Sequence, residues 1–207
     1  MMRRIESRIM VMTILLPATL AAHAGDGQTT TQSVLDAYVD ALGGRAALEA
    51  LDVRHCEGVF VDDRPYRGPA TTSSCRIRAA AGQACEIVMD GAARIDGSGT
   101  DGERGKLSWL LDPRGALTVA RDFPNLRYDG DRRLDGRFVS TLVSDRDPDH
   151  YALHFDTATG LLVRIGHYWS IGDYREVDGV RVPHRIDCSR KGGSNTWILE
   201  RVAHEGR

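Results

Sequence analysis

Four cysteines, six histidines beyond residue 24 and one run of acidic and glycine residues are the parts of this sequence whose types could do chemistry. Cys56, Cys75, Cys85 and Cys188 form no Cys-x-x-Cys pair, which argues against a thiol-redox centre or a zinc knuckle. An even number of cysteines in an exported chain points to disulfides. Four cysteines allow three pairings. Cys75, Ile77, Cys85, Ile87 and Met89 share odd parity, so a simple hairpin turning near Ala80 would set Cys75 opposite Cys85 on the apolar side. Directly opposed residues have Cβ atoms about 4.5–5.5 Å apart, close to disulfide reach. Cys56 would then pair with Cys188, both on inward positions of their strands. A bulge in the turn would undo this register.

The other chemistry-bearing residues assemble into no catalytic set. His55, His150, His154, His167, His184 and His204 include no His-x-His or His-x-x-x-His pair, and structural or surface roles are expected for all six. The loop Asp96–Gly105 looks like a calcium loop, but the sixth position is Asp101 and the twelfth is Leu107, where glycine and glutamate are required. It is expected to be a surface loop. Asp62-Asp63 and the Asp147/Asp149 pair lie beside prolines or in turns. No Gly-x-Ser-x-Gly elbow and no glycine-rich phosphate loop occurs. The expectation is a non-enzymatic protein with no metal and no cofactor.

Residues 1–24 are set apart from the rest. Arg3, Arg4 and Arg8 make a basic start, Ile9 to Leu20 is mostly apolar, and Ala22-His23-Ala24 is a small-x-small cleavage site. This pattern is a secretory signal peptide, and its apolar run is too short to span a bilayer. No cysteine follows it for lipid attachment. The expected product is soluble and periplasmic or secreted, with a flexible start over 25–32 and one domain over 33–203. The leader carries three Arg and one Glu, so the formal net charge of −2 becomes −4 without it. That charge excludes a nucleic-acid role, which needs a concentrated basic face.

The elements that must position any site follow from turn signals and periodicity. Val34, Leu35, Tyr38, Ala41 and Leu42 recur at helical spacing after Thr31 and Ser33, either of which can cap the helix. Gly43-Gly44 ends that helix, and a second runs from Arg45 to Leu51. Beyond Leu51 the pattern predicts no helix. Short extended runs alternate with turns, which makes an antiparallel sheet of roughly ten or eleven strands. Leu107 to Leu111 and Ala116 to Asp122 are expected to pair as strands across Asp112-Pro-Arg-Gly115. Pro124 to Gly136 reads as an irregular polar loop. Two hairpins follow: Tyr151 to Trp169 around Asp156–Gly160, and Asp173 to Cys188 around Asp178-Gly179, the strongest turn signal in the chain. In the last of these strands Val180, Val182, His184, Ile186 and Cys188 alternate with Arg181, Pro183, Arg185 and Asp187, so one face is buried.

Three segments carry a resemblance. Tyr38-Val-Asp-Ala-Leu-Gly-Gly-Arg-Ala-Ala-Leu48, Phe155-Asp-Thr-Ala-Thr-Gly-Leu-Leu-Val-Arg164 and Asp173-Tyr-Arg-Glu-Val-Asp-Gly-Val-Arg-Val-Pro183 stand in the order seen in the LolA/LolB-like superfamily of periplasmic lipoprotein carriers and outer-membrane lipoprotein-sorting relatives. The chain resembles that superfamily over residues 34–202. The resemblance implies an α+β fold: an N-terminal helical hairpin packed on a strongly curved antiparallel sheet, an unclosed β-barrel around an apolar cavity. It also implies an acyl chain, lipid or lipoprotein as cargo. The middle of the chain departs from the pattern, because Arg121 to Gly136 is short and polar where relatives carry a helical lid.

Phe60, Leu153, Phe155, Val163, Trp169, Val182, Ile186 and Trp197 are the expected cavity wall. The same positions would also suit a filled core, since small barrels do either. Three functions therefore stay open from the residues. One is a periplasmic carrier of an acyl chain. Another is a sensor or interaction domain with an envelope protein partner. The last in rank is an enzyme.

Overall fold

The computed structural model describes residues 29–90, 92–95, 102–145, 151–190 and 192–206. The expected leader, the start expected to be flexible (up to residue 28) and most of the 96–105 loop lie outside the described residues.

Helix α1 (Thr31–Ala41) begins at Thr30, whose hydroxyl accepts from the Ser33 backbone while the Ser33 hydroxyl accepts from the Thr30 backbone. This reciprocal cap satisfies two otherwise orphaned donors and fixes the start one residue before the expected Thr31. Val34, Leu35, Tyr38 and Val39 are its buried stripe. Gly43 takes φ 122° and Gly44 φ 87°, left-handed conformations that end the helix. A Cβ at Gly43 would meet the Gly179 carbonyl at 2.4 Å, so the turn also needs glycine for close approach. Helix α2 (Arg45–Glu49) is one short turn, and Leu51 already belongs to the sheet.

Among the described residues eleven antiparallel strands form one sheet: β1 (Leu51–Asp63), β2 (Thr71–Ala80), β3 (Glu86–Met89), β4 (Ala92–Ile95), β5 (Arg127–Leu134), β6 (Arg137–Val143), β7 (Leu153–Asp156), β8 (Leu162–Ile165), β9 (Trp169–Val177), β10 (Val180–Arg190) and β11 (Gly193–Gly206). The order is β4-β3-β2-β1-β11-β10-β9-β8-β7-β6-β5, so β4 and β5 are free edges and the sheet is not closed. Strands consecutive in sequence are neighbours in the sheet except β4 and β5, which lie at its two edges, and the first and last strands meet at β1–β11.

Several expectations need correction. Leu107–Leu111 is not a strand. It lies in helix α3 (Gly102–Leu111), and the partner segment is a 3-10 turn (Gly115–Thr118) leading into helix α4 (Val119–Asp122). The turn between them forms as expected, with the Gly115 amide donating to the Asp112 carbonyl at 3.0 Å, but it joins helices. Leu107, Leu110 and Leu111 sit at helical spacing, and a short apolar run is ambiguous between the two periods. Pro124 to Gly136 contains β5, an edge strand whose polar faces hide the alternation. The strand expected to end at Trp169 breaks at Gly166, φ 53°, and Trp169 opens β9.

The disulfides are not formed. All four cysteines are buried and no disulfide joins them. The register explains both failures. Cys75 lies opposite Met89, because β3 begins at Glu86 and Arg78 pairs with Glu86, leaving Cys85 in the turn. Cys56 lies opposite Val202, while Cys188 lies opposite Asn195, seven residues further along β11. At about 3.4 Å per residue that separation is on the order of 20 Å, far beyond a disulfide.

One buried cluster joins the sheet to the helices packed on it. α1, α2, α3 and α4 contribute Tyr38, Leu48, Trp109, Leu111, Val119 and others, and the sheet contributes Cys56, Ile77, Leu142, Leu153, Phe155, Ile165, Ile186 and Leu199.

Candidate functional site

The expected wall residues divide unevenly. Leu153, Val182 and Ile186 are fully buried, Phe155, Trp169 and Trp197 are buried, and all six belong to the one apolar cluster. Phe60 packs against that cluster and meets Trp197 with ring centroids 4.4 Å apart. Val163 is only half-buried and lies outside the cluster, while its neighbour Leu162 is fully buried. A register irregularity between His154 and Phe155 shifts β8 by one residue, which exchanges the faces.

Two helical elements cover this wall. α1 lies over the β7–β8 turn: Tyr38 stacks on Phe155 with centroids 5.1 Å apart and planes at 58°. A Cβ at Gly160 would come within 2.8 Å of the Ala37 carbonyl. The end of α1 is tied to the sheet where the Arg181 amide donates to the Leu42 carbonyl. The second cover is α3 with α4. Inside it, Trp109 Nε1 donates to the Gly115 carbonyl at 2.9 Å, and the Trp109 and Phe123 rings meet edge-on at 4.9 Å. Phe123 in turn faces Tyr151, over which Lys106 places its ammonium at 4.5 Å from the ring centre.

The seam between this second cover and the sheet is polar. Cys85 N donates to Ser108 Oγ at 2.7 Å, and Gly82 N donates to Asp112 Oδ2 at 2.8 Å. Arg114 Nε donates to the Leu51 carbonyl and Nη2 to Asp52 Oδ1, both at 2.7 Å. Arg54 Nη1 donates to the Leu111 carbonyl at 3.1 Å, closing the last turn of α3. Each of these bonds has a side chain at one or both ends, unlike the ladder bonds within the sheet.

Arg54 is the unusual member. Its side chain is 3% exposed on β1, and among the described residues no carboxylate lies within ion-pair distance of it. Its second partner is His204, directly opposite on β11, whose Nε2 accepts from Arg54 Nε at 3.0 Å. That bond assigns the His204 proton to Nδ1, which lies 3.5 Å from Asp178 Oδ2 without hydrogen-bond geometry. Burial, reinforced by the neighbouring guanidinium, pulls the His204 pKa down to about 4 and keeps the ring neutral. Burial lowers the guanidinium's own pKa too, opposed by the thiol of Cys56 and the phenol of Tyr38. The same burial raises the Cys56 thiol to about 12, so it is no nucleophile. Beside Arg54 a cavity of ≈ 20 Å³, about the size of one water, is lined by Tyr38, Leu48, Trp109 and Asp112.

Among the described residues no group of three or more His, Cys, Asp or Glu side chains could hold a metal ion. His154 is buried with Nδ1 beside Thr141 Oγ1 at 3.1 Å, and His55 pairs with Glu205 on the surface. His150 lies outside the described residues.

Sequence reasoning missed Arg54, His204 and the helical cover. One signal was present: Arg54 shares the parity of Cys56 and Phe60, so a strand turning those inward turns the arginine inward as well.

No family model matches the chain, and no curated protein matches it. Solved structures do match. A DUF1329 family protein from Desulfovibrio piger is similar with a TM-score of 0.56 at 12% identity, over 84% of this chain and 92% of that one. A LolA superfamily protein from Nitrosomonas europaea is similar with a TM-score of 0.51 at 9% identity, over 87% and 96%. A putative outer membrane lipoprotein-sorting protein domain from Vibrio parahaemolyticus is similar with a TM-score of 0.50 at 11% identity, over 74% and 86%. The chain therefore has a LolA/LolB-like fold.

Proposed function

We propose that the protein is an exported, non-catalytic carrier that holds an acyl chain, alone or on a lipid or lipoprotein, between the concave face of the sheet and its helical covers. The observation that carries this reading is the seam. The apolar wall of Leu153, Phe155, Trp169, Val182, Ile186 and Trp197 lies under a cover fastened to β1 and the β2–β3 turn by side-chain bonds. Such a cover can part from the sheet while every strand pairing stays intact. The fold likeness and the leader-like residues 1–24 support the same assignment, including periplasmic localisation. Among the described residues no helix is long and apolar enough to cross a membrane.

The energetics suit a carrier. A chain of about twelve methylenes gains about 10 kcal/mol on burial. Association costs of about 4–15 kcal/mol offset most of that, so binding is modest and release is easy. The arginine at the seam supplies a counter-charge for an anionic head group once the Leu111 carbonyl is given up.

A second reading rests on its own observation. The wall residues are already packed into one cluster, and the space beside Arg54 holds about one water. With that core permanently filled, the chain is an interaction or sensor domain whose partner sits on its surface. Native mass spectrometry of delipidated protein titrated with a C12 to C16 fatty acid separates the two. A carrier takes up one acyl chain per protein, and Phe155→Asp or Trp197→Asp weakens uptake in folded protein. Folded protein that takes up none supports the partner domain.

A further inference from the structure

On the face of β1 opposite Arg54 and Cys56, a groove of ≈ 600 Å³ opens between His55, Glu57, Arg175, Glu176, Val177, His184, Glu200, Arg201, Val202 and Ala203. Its volume is in the range of small-molecule sites, about 300–1,000 Å³. The floor residue is His184, 3% exposed. Nδ1 of His184 donates to the Leu199 carbonyl at 2.6 Å, and a carbonyl can only accept, so the neutral ring carries its proton there. Nε2 is then an acceptor, and it is buried without a hydrogen-bond partner. An acceptor in that condition costs free energy unless a donor reaches it.

The charged rim selects the donor. Arg175 is held by Asp173 through two bonds of 3.1 and 2.6 Å, and Arg201 lies 3.4 Å from Glu57. Glu176 and Glu200 are exposed and make no hydrogen bond or ion pair among the described residues. His55 is paired with Glu205 at 2.7 Å, and the remaining lining, Val177, Val202 and Ala203, is apolar. An anion would meet two unsatisfied carboxylates and a lone pair. A neutral alcohol would satisfy His184 but leave the carboxylates unmatched. A protonated amine on a short carbon chain satisfies all three: its three N–H donors reach Nε2 and the carboxylates while its methylenes lie on the valines.

We propose that this outer groove is a binding site for a primary alkylammonium group, separate from the acyl site under the covers. The group can come from a lysine side chain of a protein or from a free small amine.

The test is titration of the mature chain, selectively labelled with ¹⁵N-histidine, with n-hexylammonium, hexanoate and 1-hexanol, reading the His184 Nε2 resonance. Hexylammonium is expected to shift that resonance and saturate. Glu200→Gln, an exposed substitution that leaves the core alone, is expected to weaken the titration about tenfold, equivalent to about 1.4 kcal/mol. Hexanoate and hexanol are expected to leave the resonance in place. N-acetyl-lysine methylamide then identifies the source: tighter binding than hexylammonium points to a lysine side chain, weaker binding to a free amine. An unmoved His184 resonance at millimolar hexylammonium overturns the proposal. So does equal binding of hexanoate, or an unchanged affinity in both Glu200→Gln and Glu176→Gln.

Discussion

The β9–β10 hairpin and the α3–α4 cover are both about twenty residues long and both line the same apolar core, yet they are held in opposite ways. The hairpin is a backbone structure. Val180 faces Val177 at its turn and Cys188 faces Trp169 at its far end, with Asp178 at φ 53° and Gly179 at φ 78° forming the turn whose twist matches the strands. It cannot leave the sheet without unzipping. The cover has its own internal frame in Trp109, Gly115 and Phe123, and it meets the sheet through Arg54, Gly82, Cys85 and Arg114. Its polar ties to the sheet are few and each uses a side chain at one or both ends, and the rest of its hold is the burial of Leu107, Leu111, Val119 and Phe123 in the shared core. Under the carrier reading proposed above, the hairpin is the wall and the cover is the part that would part from it.

The largest expected effect strikes the core that both regions share. Phe155 is 2% exposed and supports the Tyr38 ring, so Phe155→Ala should cost about 3–5 kcal/mol, read as the shift in urea midpoint. A loss under about 1 kcal/mol would mean that the core is not continuous between α1 and β7. Arg54→Met is next. It leaves the Leu111 carbonyl and His204 Nε2 without their donor, at a cost of about 2–3 kcal/mol. Hydrogen exchange should locate the loss: amides of Lys106 to Leu111 exchange faster, while those of β9 and β10 hold their rates. Equal acceleration in both regions would erase the contrast between them. Gly179→Ala probes the hairpin alone. A side chain forced to φ 78° costs about 1–2 kcal/mol, with the change confined to β9 and β10.

The smallest effect is on pH dependence. Burial pulls the pKa of both His154 and His204 down to about 4, below the ordinary 6.5. Their neutral rings favour the native state fully above about pH 6.5. Between 6.5 and 4 the unfolded chain takes up protons that the native chain refuses, so stability falls across that window. His204→Asn should flatten the slope of the urea midpoint against pH by removing one of the two groups. An unchanged slope would show that His204 is not shielded by the cover.

What the sequence disclosed follows the same division. Asp178-Gly179 and the alternation from Val180 to Cys188 are local signals, and the structure keeps the apolar part of them: Val180, Val182, Ile186 and Cys188 are buried in the core, while His184 lines the outer groove. Gly43-Gly44 was legible for the same reason. The segment 102–123 has no such signal. Leu107 to Leu111 fits either period, and what decides for a helix is docking on β1 and the β2–β3 turn, sixty and twenty residues away in the chain. The cysteine pairing failed on register, since the turn between β2 and β3 is longer than parity alone could show. Arg54 was readable as an inward position, but its partners Leu111 and His204 are apparent only once the two ends of the chain meet at β1–β11.

The central claim is that the cover must part from the sheet for an acyl chain to enter. Ser108 sits on the cover with its hydroxyl 2.7 Å from the Cys85 amide, so Ser108→Cys can be oxidised to a bond with Cys85 across the seam. Peptide mapping confirms the bond, and fluorescent fatty-acid uptake is then measured before and after reduction. The account predicts no uptake with the seam locked and full uptake once it is reduced. Equal uptake in both states would contradict it.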